Sequence, residues 1–63
     1  MIIKLTNANE SFKDKLLLIN VDKIVSVFES ENDKKELITF VYVDRENTWQ
    51  VKETLEEIYG MLS

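Results

Sequence analysis

Short β-forming runs of apolar residues separated by polar turns make up most of this chain, and a helical period takes over once, close to the end. Met1–Thr6 (MIIKLT) reads as a first strand, rich in β-formers and punctuated by Lys4. Asn7–Asp14 is a polar connection, and Lys15–Ile19 (KLLLI) is a second strand, apolar on both sides. Asn20-Val21-Asp22-Lys23 is a turn in which Asn and Asp side chains can bond nearby backbone amides. Ile24–Glu29 is a third strand, Ser30–Lys35 a polar hairpin loop, and Glu36–Val43 (ELITFVYV) the fourth and longest strand. Asp44–Asn47 turns the chain into a short fifth strand, Thr48–Val51, with Trp49 and Val51 on one side. Beyond it Val51, Leu55, Ile58, Tyr59 and Leu62 fall at i, i+4, i+7, i+8 and i+11, which is one face of a helix. Thr54 with Glu57 three residues later fits a capping box at its start.

Hairpin-length connections predict that neighbouring strands pair antiparallel. The expected fold is a single α+β domain over residues 1–63: an antiparallel meander of four or five strands with one C-terminal helix packed on one face. Leu55, Ile58, Tyr59 and Trp49 are expected to build that packing.

A sheet with one wet side alternates cleanly, and this one does not. Leu16 and Leu18 oppose Leu17 and Ile19, Val25 and Val27 oppose Ile24 and Phe28, and Leu37, Val41 and Val43 oppose Ile38, Phe40 and Tyr42. One short helix cannot cover both sides. Either the sheet curls on itself to hide one side, or the bare side meets another copy. A 63-residue domain with no cysteine for a disulfide and no histidine or thiolate for zinc has association as its remaining stabilising device. Self-association is therefore the expectation. Phe28, Phe40 and Tyr42 are the candidate interface residues, together with Trp49, a residue type enriched as an anchor between subunits.

Composition narrows the chemistry. Twelve acidic residues against eight basic ones give a net charge of −4, which argues against a nucleic-acid partner. The longest apolar runs are too short to span a bilayer, and no signal-like apolar core follows Met1, so a cytoplasmic protein without membrane insertion is expected. Without His or Cys the serines lack an activating imidazole. There is no G-x-x-x-x-G-K or G-x-G-x-x-G loop for phosphates. An enzyme is not expected, nor is a cofactor. Glu29, Glu31, Asp33 and Glu36 gather around one hairpin, but they lack EF-hand spacing and its glycine, and Lys34 and Lys35 intrude; a solvated turn is the reading.

Asn20-Val21-Asp22-Lys23-Ile24-Val25 followed by Trp49-Gln50-Val51-Lys52-Glu53-Thr54-Leu55-Glu56-Glu57-Ile58 resembles the small flagellar and swarming-motility family of the FlbD/SwrD type. Members open with a Met-Ile-x-Leu-Thr-like strand, which Met1–Thr6 resembles with one residue more before Leu5, carry an Asn-x-Asp-x-Ile turn, and close with a Val-x-Glu-Ser/Thr-x-x-Glu junction. This chain departs in reading Asn7-Ala8-Asn9-Glu10 where the family often has a glycine, and Val21 where it often has proline. The resemblance implies a non-enzymatic protein supporting the flagellar motor through protein contacts. The alternative is a small phage or mobile-element accessory protein that binds a host or phage protein.

Overall fold

The computed structural model describes residues 1–62. The chain is α+β, with five strands and one C-terminal helix among these residues. Strand β1 (Ile2–Thr6) pairs antiparallel with β2 (Leu16–Asn20), setting Ile3 opposite Ile19 and Leu5 opposite Leu17. Strands β3 (Ser26–Glu31), β4 (Leu37–Tyr42) and β5 (Thr48–Val51) form an antiparallel meander with β4 in the middle. The helix α1 spans Leu55–Leu62.

The strands thus fall into a hairpin and a three-stranded sheet instead of one continuous meander, and the reason lies between β2 and β3. The Asn20 carboxamide accepts from the Asp22 amide at 3.0 Å and caps a 3-10 turn over Val21–Lys23, closed by the Ile24 amide donating to the Val21 carbonyl. The turn chemistry expected of Asn20 is present, but a 3-10 turn is a corner, not a tight hairpin. It carries the chain off the β2 edge, so β3 starts two residues later than the alternation suggests and pairs only with β4.

The two sheets meet elsewhere. Asn7 lies opposite Val51 in an isolated antiparallel bridge, with the Ala8 amide donating to the Gln50 carbonyl and the Lys52 amide to the Thr6 carbonyl. Around this seam Ile3, Leu5 and Ile19 of the hairpin meet Val41 and Val51 of the larger sheet, with Ile58 of the helix completing one buried cluster. Leu17, Val21, Ile24, Val27 and Val43 pack around it.

The helix contributes less than its periodicity implies. Thr54 and Glu57 do form the capping box: the Glu57 amide donates to Thr54 Oγ1 at 3.1 Å, and the Thr54 amide to Glu57 Oε1 at 3.0 Å. Of its apolar stripe only Ile58 is buried. Leu55 and Leu62 are exposed and Tyr59 is 72% exposed; of the residues expected to build the packing, Leu55, Tyr59 and Trp49, the last 36% exposed, lie outside the buried cluster that Ile58 joins. The physical reason is that the inward faces of two sheets already wall the core; an eight-residue helix, about 12 Å long, has one side chain's worth of gap to fill. Gly60 marks no close approach, for a Cβ there would meet nothing within 4 Å.

Candidate interaction surface

Strand register decides which side chains share a face, because directly opposed residues point the same way. Buried Val41 is opposed by Val27 and Trp49, and buried Thr39 by Glu29 and Val51, so these positions face inward. The outward face follows. From β3 it takes Ser26, Phe28 and Ser30; from β4, Ile38, Phe40 and Tyr42; from β5, Thr48 and Gln50.

Three of the four candidate interface residues come together on this outward face. Phe28 stands directly across from Phe40, with ring centroids 5.3 Å apart and planes 12° from parallel. Tyr42 lies diagonally, 5.6 Å from Phe28 at 22°. These are stacked spacings. The rings shelter one another, yet Phe28 is still 42% exposed and none of the three belongs to the buried cluster or packs against it. Trp49 does not join them. Opposite Val41, it points to the inward side of the sheet, so the candidate set splits between two faces.

A second apolar face was visible in the sequence only as the two-sided greasiness of β2. On the outside of the hairpin Leu16 and Leu18 are 70% and 64% exposed, beside Ile2 and Lys4, with Lys4 directly across from Leu18. Unlike the aromatic face, this one is aliphatic and carries a cation.

The seam between the sheets is held by a polar clamp. The Thr6 amide and hydroxyl donate to the two oxygens of the Glu53 carboxylate at 2.8 and 2.9 Å. Asn7, buried beside it, donates from its amide and from Nδ2 to the Lys15 carbonyl, while its Oδ1 has no partner among the described residues. Asp14 pairs with Lys52, whose hydrogen bond and charge hold the Asp14 carboxyl below its ordinary 3.8. The Asp44 carboxyl is likewise lowered, first by the Asn47 side chain and then by the Glu46 and Asn47 amides that it accepts. Both shifts come from a turn or an ion pair and favour the charged form, so neither creates an acid poised to give up a proton near neutral pH.

Between the first connection and the β3–β4 loop lies an open cleft of about 320 Å³ lined by Lys13, Lys34 and Lys52 but also by Glu10 and Glu36. The carboxylates of the β3–β4 hairpin do not converge: among the described residues no three acidic side chains are grouped to hold a metal ion. Glu36 instead accepts from Asn32, whose Oδ1 also takes the Lys34 and Glu36 amides and so organises the loop. Among the described residues no helix is long and apolar enough to cross a membrane. No protein-family model matches the chain, and neither does any curated protein or solved structure.

Proposed function

We propose that this protein is a non-enzymatic protein–protein interaction module that acts in the cytoplasm as a homo-oligomer. The observation that carries the reading is apolar surface left over after the core is complete: stacked Phe28, Phe40 and Tyr42 outside one sheet, and Ile2, Leu16 and Leu18 outside the other. A typical monomer shows a largest apolar patch of about 300–600 Å². Two separate apolar faces on a 63-residue chain, one on each sheet, offer surface for another chain to cover.

The resemblance to motility proteins supplies the setting: a small accessory protein supporting the flagellar motor through contacts with motor components or with proteins that regulate them. Affinity capture of the tagged chain from its native cells tests this setting. Recovery of motor components supports it. Recovery of phage structural proteins instead, or of neither, overturns the setting while leaving the module to be judged by its self-association.

A further inference from the structure

We propose that the outward face of β3, β4 and β5 is covered by the same face of a second copy of this chain, related by a twofold axis passing close to Phe40. The inference rests on the interaction-module reading and names the partner and the contact.

Charge is the first argument. The chain carries eight basic and twelve acidic residues among 63, yet no outward position of these three strands holds any of them. Across a twofold axis a residue near the centre meets its own symmetry mate. In a chain of net charge −4, a carboxylate there would face a carboxylate. Close to the axis, a face that packs on itself is best left neutral. A face that selects a different protein gains rate and specificity from complementary charge; the strand positions of this face supply none, and charged side chains border it where Ile38 meets the cleft. The hairpin's outer face, with Lys4 in its midst, has the opposite character.

The polar residues give a second argument. Ser26, Ser30, Thr48 and Gln50 frame the rings, and every one of these side chains both donates and accepts hydrogen bonds. Each can therefore pair with whichever of these polar groups the twofold brings opposite it. Phe40 is the midpoint: it sits on the central strand, flanked by Phe28 on β3 and Gln50 on β5, with Ile38 and Tyr42 on either side along β4.

Area sets the strength. Strands of six, six and four residues, three abreast, span a projected footprint of about 250 Å² at about 3.3 Å per residue and 4.8 Å between strands. A stable interface takes about 800 Å² per partner. The contact is therefore reversible, with a midpoint in the micromolar range or above.

Sedimentation or light scattering of the full chain over roughly 1–500 µM, the range in which so small an interface titrates, tests the proposal. The expected result is a rise from 7.4 kDa towards twice that mass. Phe40→Glu and Phe40→Lys, each alone, should raise the midpoint at least about tenfold by setting like charges face to face, and an equimolar mixture of the two should recover the dimer. Gln50→Glu, nearly isosteric and harmless to the fold, should weaken it as well and decides the matter if a Phe40 variant loses its circular-dichroism signature. Leu18→Glu, on the hairpin, should leave it unchanged. A wild-type mass of 7.4 kDa throughout overturns the proposal and the homo-oligomeric part of the function together. Loss of association in Leu18→Glu but not in Gln50→Glu and the Phe40 variants overturns this contact alone, leaving the module to associate through its hairpin.

Discussion

Replacing Glu53 with alanine should be among the most damaging changes available outside the apolar core. Glu53 is half-buried and 47 residues from Thr6 in sequence, and its two oxygens hold the Thr6 amide at 2.8 Å and the Thr6 hydroxyl at 2.9 Å. The clamp sits where the two sheets share one bridge, so it binds the hairpin to the β5–helix junction. Hydrogen bonds to a charged group contribute about 1.5–3 kcal/mol each, and stranding a part-buried backbone amide adds to the loss. Partial exposure reduces the sum, leaving about 2–4 kcal/mol. A domain of this length has about 3–9 kcal/mol in total, so Glu53→Ala should remove a large share of it. At about 4–8 °C per kcal/mol for so small a domain, the melting temperature should fall by roughly 10–25 °C. Thr6→Val removes only the hydroxyl bond, and Glu53→Gln keeps an oxygen for the amide; each should cost about 1 kcal/mol. The assay is urea unfolding followed by Trp49 fluorescence, with a double-mutant cycle between Thr6→Val and Glu53→Ala. A Glu53→Ala cost under about 0.5 kcal/mol, the level of an ordinary surface change, would refute the view that this carboxylate joins the sheets.

Three other outcomes follow from the same structure. Gly60→Ala should stabilise the protein by about 0.5–1 kcal/mol in thermal melts, because a helical glycine is being replaced where an added Cβ meets nothing. Leu5→Ala, at a wholly buried position in the hairpin, should cost about 2–5 kcal/mol, a large share of the total, read as a lower urea midpoint followed by circular dichroism. Acid should destabilise the fold in part through Asp14 and Asp44. Their carboxyls lie below the ordinary 3.8 when folded, so the unfolded chain binds protons first as pH falls. Their contribution is whole above that value and is lost below it, through the lowered folded values; melting temperatures of Asp44→Ala between about pH 5 and 2 should therefore fall less steeply than those of wild type.

The strands were legible as short β-forming runs with a polar turn at each end. Thr48–Val51 falls where expected, and the outward grouping of Ile38, Phe40 and Tyr42 follows from alternation alone. Pairing was less legible. Whether Phe28 meets Phe40 depends on register across the β3–β4 loop, where Asn32 collects two amides and Lys35 takes a positive φ of 63° to close the turn; none of that geometry is encoded in hydrophobicity. The separation of β2 from β3 was hidden for a similar reason. Asn20 signals a turn, but the same residue caps a hairpin turn or a 3-10 corner, and only the second sends β3 to another sheet. The helix misled in the other direction: its apolar stripe is real, but a stripe shows what a helix could bury, not how much room the sheets leave for it.

The two strings that carry the motility resemblance hold joints of the fold. Asn20 to Val25 is the capped corner between the sheets, and Trp49 to Ile58 contains the Val51 bridge, the Glu53 clamp, the Thr54–Glu57 capping box and the one buried helical residue. Residues of these types at these spacings are what this architecture needs, whatever its surface does. Phe28, Phe40 and Tyr42 lie outside both strings. A protein could share every joint and present a different face, since function resides in the site and not in the scaffold. The resemblance therefore bears most directly on how the chain folds. The functional proposal stands on the surface residues, and its decisive comparison is between variants that alter only the face, such as Gln50→Glu, and variants that alter only the joints, such as Thr6→Val. If face variants lose association at unchanged melting temperature, measured below the wild-type midpoint where the chain is monomeric, while joint variants lose stability at unchanged midpoint, scaffold and function are separate properties of this chain. If both variants lose both, the aromatic face is part of what holds the monomer together, and the argument for a second copy fails with it.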